Sequence, residues 1–416
     1  MLSRPLAAKT AAALLVVGLG AAACGGSSSG GNSPQAQPTS SMSDMQSSSP
    51  ASATDATATQ AAALRSGLDQ LFREHVNLTG FVVQTAVISG VKSPQTAAAL
   101  KALDANTVAI GDAIGSVYGA DAKTAFLKMW RAHIGFFVDY TVGLATKDNA
   151  KVTKAQAQLA GYKRDFAAFL GGATKIPPAA IATELQGHIQ TLEAAIQAIL
   201  TKNKDAGAKL QMAAMHMDGT AAALAGGIAK DKNLDGTSDS QASALRAGLT
   251  GLLIQHVAQT GEVVQSVVAT SLTSPQTAGA IAALDQNTQD LGKAIGSLYG
   301  ADAQTAFLKM WRAHIGFFVD YTKGLASGDK AAVSAAQAKL ANYQRDFGNF
   351  LGSATGLPGD AVSADLQGHI QTLEAAIQAI LTKSPTAAAK ISMAEDHMAG
   401  TAAVLAKAIA AQKHLS

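Results

Sequence analysis

Eight of the nine histidines in this 416-residue chain are placed with unusual regularity. His75, His133, His188 and His216 each lie near the middle of a long stretch of helical character. His256, His314, His369 and His397 repeat the set 181 residues later. Three of the first four interrupt apolar residues spaced three and four apart. These series are Leu64, Leu68, Leu71, His75, Leu78, Val82; then Phe126, Trp130, His133, Phe137, Tyr140, Leu144; then Ile181, Leu185, His188, Leu192, Ile196, Ile199. That period marks the core-facing stripe of a packed helix. A buried imidazole without a partner costs about 1–3 kcal/mol, so several in one layer require a common solution.

Two solutions fit. In the first, neutral imidazoles ligate a transition metal, their commonest role as ligands. Met129 and Met212 precede His133 and His216 by four residues and so share their helix faces. Met310 and Met393 repeat the arrangement. Thioether with imidazole points to copper, with zinc as the second choice. In the second, the histidines form a hydrogen-bonded polar layer. Asn106 and Tyr162, near the midpoints of the two remaining helices, would join it, as would Asn287 and Tyr343 in the second set.

Other chemistries find little support. There is no Glu-x-x-His motif for a di-iron centre and no c-type haem attachment sequence, which disfavours haem. No Ser-His-Asp set, Cys-His set or phosphate loop stands out. A binding module is therefore favoured over an enzyme. The formal charge of +3, with no Lys/Arg cluster, excludes a nucleic-acid binder of ordinary kind. A single cysteine excludes internal disulfides and Cys-based zinc sites.

The elements that must position the histidines follow from the repeat. Residues 64–230 match 245–411 without insertion, and TAFLKMWRAHIGFFVDYT recurs unchanged at 124–141 and 305–322. Each copy reads as six helices, in the first about 61–89, 95–117, 121–146, 148–171, 178–202 and 204–230. Ser93-Pro94 opens the second, Asp121 caps the third, Gly171-Gly172 ends the fourth and Pro177-Pro178 opens the fifth. Short loops force antiparallel neighbours. An alanine-rich composition with 5% aromatic residues agrees with helices. The expected fold is all-α, two tandem up-and-down bundles of about six helices each, at 61–230 and 242–412. In such a bundle all helix midpoints share a plane, so four imidazoles per copy should meet at one level.

Between the copies, residues 231–241 form an acidic linker. Asp231, Asn233, Asp235, Gly236, Thr237 and Asp239 occupy the first, third, fifth, sixth, seventh and ninth positions of an EF-hand loop. Ala242 replaces the bidentate glutamate, so calcium would bind weakly, in about the millimolar class. Otherwise these residues are a polar linker that caps helices.

The amino terminus speaks to location. Arg4 and Lys9, the run AAALLVVGLG and the AAAC ending at Cys24 have the layout of a secretory signal peptide. With GGSSSGG following, residues 1–24 resemble a bacterial lipoprotein signal in which Cys24 becomes the lipidated first residue. Ala21 stands where such signals more often carry leucine. Residues 25–60 are Ser, Gly, Thr, Ala, Gln and Pro without periodicity, a tether of roughly 35 Å mean reach. The expectation is a protein anchored by lipid at the extracytoplasmic face of a bacterial cell membrane.

The segments LFREHV, NTVAIGDAIGSVYG, LKMWRAH and LQGHIQ carry a resemblance. Each copy resembles an uncharacterised family of bacterial helical proteins, often with one histidine per major helix, over residues 61–230 and 245–411. The resemblance implies that the histidine layer is a family feature, and it brings no established activity or partner protein. The leading expectation is a cell-envelope lipoprotein that binds copper or zinc. The rival is a structural or interaction lipoprotein with a hydrogen-bonded histidine core.

Overall fold

The computed structural model describes residues 55–416. The signal segment, Cys24 and the tether up to residue 54 lie outside them. The described residues form twelve α-helices and no strand. The first copy contributes α1 (Gln60–Ser89), α2 (Pro94–Tyr118), α3 (Ala120–Thr146), α4 (Asn149–Thr174), α5 (Pro178–Leu200) and α6 (Ala206–Lys232). The second contributes α7 (Gln241–Ala269), α8 (Pro275–Tyr299), α9 (Ala301–Ser327), α10 (Lys330–Thr355), α11 (Gly359–Leu381) and α12 (Ala387–Lys413). No helix of the described residues is long and apolar enough to cross a membrane.

Local chemistry accounts for most boundaries. Ser93 accepts from the Thr96 amide ahead of Pro94, and Asp148 accepts from the Lys151 amide. Two expected signals work differently. Gly119, at φ 89°, is the N-cap of α3, and Asp121 lies in its first turn without a capping bond. Helix α4 runs through Gly171-Gly172 to Thr174. Gly171 serves packing there, since a Cβ would lie 2.7 Å from Pro178 Cγ and 3.0 Å from the Ile176 carbonyl.

Within a copy, consecutive helices pack side by side, and the sixth returns onto the first to close a six-helix bundle. The short connections make α1, α3 and α5 parallel to one another. The bundles are not beads on a linker. Helix α1 lies along α7, α2 meets α12 and α6 meets α8. Leu78, Phe81 and Val82 of α1 join the apolar core of the second bundle. Corresponding bonds cross in both directions: Arg65 Nη1 donates to Ser238 O at 2.9 Å, and Arg246 Nη1 to Thr57 O at 2.8 Å. Residues 55–60, expected in the tether, therefore belong to the folded body.

The seam between copies buries polar groups of α1 that would otherwise pass for a solvated face. Arg73 pairs with Asp218 of α6 and reaches Gln255 of α7. Asn77 donates to Glu395 at 3.2 Å and Gln70 to Asp396 at 2.8 Å, both on α12. Such pairing is needed wherever a polar side chain leaves water.

Candidate metal centre

The seams on α3 and α5 bury the residues their period indicates, from Phe126 through Tyr140 and from Ile181 through Ile199. The midpoints of three parallel helices then bring His75 of α1, His133 of α3 and His188 of α5 together. They are 1%, 1% and 4% exposed. His256, His314 and His369 form the same cluster on α7, α9 and α11, at 1%, 1% and 2%. In each cluster one ligand atom from every ring lies within 4.8 Å of the other two. A common centre within about 2.8 Å of all three exists in such a triangle, against ~2.0–2.1 Å for a zinc–imidazole bond. Closing on an ion takes less than about 1 Å of movement per ring.

Burial sets the charge state. Loss of water, reinforced by the neighbouring histidines, holds His75 down to about 3 and His188 down to about 4. The same causes hold His133, His256, His314 and His369 well below the usual histidine value. All six rings are neutral at pH 7, the form that ligates metals. Neither nitrogen of His188, nor of His369, has a hydrogen-bond partner in the protein. Aromatic rings wall the cluster. Trp130 meets His133 edge-on at 4.7 Å, and Tyr162 stacks on its face at 4.8 Å.

The fourth expected histidine stands apart. His216 is 25% exposed and donates from Nε2 to the Glu184 carbonyl at 2.9 Å, with Glu184 Oε2 at 3.7 Å. His397 does the same with Asp365, at 2.9 and 3.6 Å. These rings lie across Gly187 and Gly368, where a Cβ would come within 2.5 and 2.6 Å of Cε1. The core layer has three histidines rather than four because the buried stripe of α6 runs through Leu210, Ala214, Met217, Ala221, Leu224 and Ile228. His216 is one residue, about 100°, off that stripe.

The expected soft ligands fare no better. Met212 and Met393 are each 62% exposed, and Met129 and Met310 are half-buried at the core edge. The methionine that shares a cavity wall with His133 and His188 is Met217, which the sequence reading passed over. Asn106 and Asn287 also lie elsewhere. Asn106 donates to Leu71 O at 3.0 Å and Glu74 Oε2 at 2.9 Å, and Asn287 to Leu252 O at 3.0 Å, fastening the second helix of each copy to its first. Tyr162 and Tyr343 do join the site, by stacking on His133 and His314.

The linker does not gather a calcium site. Asp231 is in the last turn of α6, 3.3 Å from Lys232 Nζ, and Asn233 is the left-handed C-cap. Asp235 uses its backbone to brace α1, accepting from Ala61 N and donating to Gln60 Oε1, each at 3.0 Å. Thr237 and Asp239 face solvent. Among the described residues, only the two histidine clusters bring three such side-chain ligands together. Comparison with models of protein families, with curated proteins and with solved structures finds no match to this chain, so the reading of the centre rests on its geometry.

Proposed function

We propose that each bundle holds one transition-metal ion, zinc or copper, on its three buried imidazoles. The protein would carry this pair of sites at the outer face of a bacterial cell membrane, anchored through Cys24. The observation that carries the metal reading is the convergence of three neutral rings within 4.8 Å, one without any hydrogen-bond partner, in both copies. Three nitrogen donors without a carboxylate suit zinc or copper and disfavour magnesium and calcium. Exposure of Met212 and Met393 weakens the thioether argument that ranked copper first. The signal-like amino terminus supports the envelope location.

One observation favours the rival packing reading. His314 Nε2 and His256 Nε2 are 3.3 Å apart, close enough for one ring to donate to the other. Titration of the metal-free full chain with zinc and with copper separates the two. The metal reading expects two sites, one of which disappears in His133→Leu while the fold persists. The packing reading expects no saturable uptake by either protein.

A further inference from the structure

Of the methionines in the described residues, only Met217 and Met398 are buried, at 3% and 2% exposure. They occupy equivalent positions on α6 and α12. Met217 shares with His133 and His188 the wall of a cavity of about 130 Å³. Helix packing sets it at the height of the histidine layer. Arg73 of α1 pairs with Asp218 and Gly80 abuts Leu210, so α6 runs antiparallel beside α1, with Met217 within a turn of His75. His216 lies against Gly187 of α5, which brings Met217 within a turn of His188 as well. The second copy repeats the arrangement, with Ile391 against Gly261 and His397 against Gly368.

Packing alone does not call for methionine here. Leucine is of similar volume and fills cores as well, and apolar positions along this helix do change between the copies: Leu210 is matched by Ile391 and Ala223 by Val404. Around Met217 itself, Gln211, Ala214, Met215 and Asp218 become Ser392, Glu395, Asp396 and Ala399. Met217 keeps its type in Met398. What leucine lacks is the thioether sulfur, a soft metal ligand. The methionine side chain is unbranched with three rotatable bonds, and the cavity leaves it room to turn the sulfur toward the rings.

Charge points the same way. No carboxylate belongs to either cluster, and the imidazoles are neutral. A divalent ion would bring two charges into an aromatic setting without a counter-charge, and the cost of burying an ion rises with the square of its charge. A monovalent ion costs far less. Three imidazoles and one thioether form a neutral, soft set of four donors, which suits copper(I).

We propose that Met217 and Met398 are the fourth ligands of the two centres and make them copper(I) sites. This rests on the metal reading of the histidine clusters and adds the residue that selects among metals. The test is anaerobic titration of the metal-free full chain, and of a Met217→Leu, Met398→Leu double variant, with copper(I) against a copper(I) chelator and with zinc against a zinc chelator. Both exchanges conserve volume, so the fold persists. Copper(I) affinity should fall by at least about tenfold, the loss that removing an orienting group already causes, while zinc affinity changes little. X-ray absorption at the copper edge should show a sulfur neighbour in the unmodified chain and nitrogen neighbours alone in the variant. Equal copper(I) affinity in the two proteins, an equal loss for both metals, or nitrogen alone around copper in the unmodified chain overturns the assignment of the methionines and leaves the histidine sites standing. Absence of uptake of either metal by the unmodified chain overturns the metal reading, and the methionine ligands with it.

Discussion

The imidazole of His133 lies face to face with the ring of Tyr162, centroids 4.8 Å apart and planes 18° apart, and His314 repeats this on Tyr343 at 4.8 Å and 16°. The contact joins α3 to α4 and fixes the rotation of a ring that must aim one nitrogen inward. Groups that orient a ligand typically change metal affinity by about 10–100-fold when removed. Tyr162→Leu should therefore weaken the first site by at least about tenfold and leave the second unchanged. Tyr162→Phe should leave both intact. A zinc titration against a competing chelator reads both outcomes.

His216 gives a contrasting case. Because it bonds the Glu184 carbonyl instead of facing the cluster, His216→Ala should cost about 1 kcal/mol of stability and no metal. Met212→Leu, at an exposed position, should be within about 0.5 kcal/mol of wild type and should retain the full metal complement. Loss of an equivalent from either variant would restore the fourth histidine or the thioether to the ligand set.

Much of this was legible in the residues. The stripes on α3 and α5 carry bulky apolar side chains at every turn, so their period identified His133 and His188 as core-facing. Helix α6 defeated the same reasoning because alanine is apolar on every face and leaves the stripe unmarked. Leu210, Met217 and Leu224, seven residues apart, were the signal that would have placed Met217 inside and His216 outside. The seam between copies was not legible. Arg73, Asn77 and Gln84 look like a solvated face until α7 and α12 cover them, and nothing local to α1 announces that. The linker shows the reverse error, since oxygen-bearing residues at EF-hand spacing occur here in a helix end and a brace for α1.

The seam also sets a pH dependence. Glu395 on α12 faces Glu74 on α1 and its neighbour Asp396, with Asn77, Gln70 and Asn106 as hydrogen-bond donors. Burial, then mutual repulsion, pushes Glu74 up to about 7, and burial pushes Asp396 up to about 6. Glu395 is pushed well above its ordinary value by burial first and by both neighbours. These carboxyls hold protons in the folded chain that the unfolded chain releases. Their contribution is complete below the ordinary carboxylate range and is lost as pH rises through 6 and 7. The buried histidines act oppositely, but only below about 6.5. Between pH 6.5 and 8 stability should thus fall by on the order of 1–2 kcal/mol. Glu395→Gln should flatten that slope in urea unfolding, and an unchanged slope would mean that Glu395 is ionised when folded.

The most direct test of the central claim is metal content per chain. The full chain, equilibrated with zinc or copper and dialysed, is assayed by elemental analysis beside a variant carrying His133→Leu and His188→Leu. The account predicts about two equivalents in the first and one in the second, since each bundle carries its own cluster. Absence of retained metal in the unmodified chain, or the same content in both proteins, would contradict it and leave the histidines as packing.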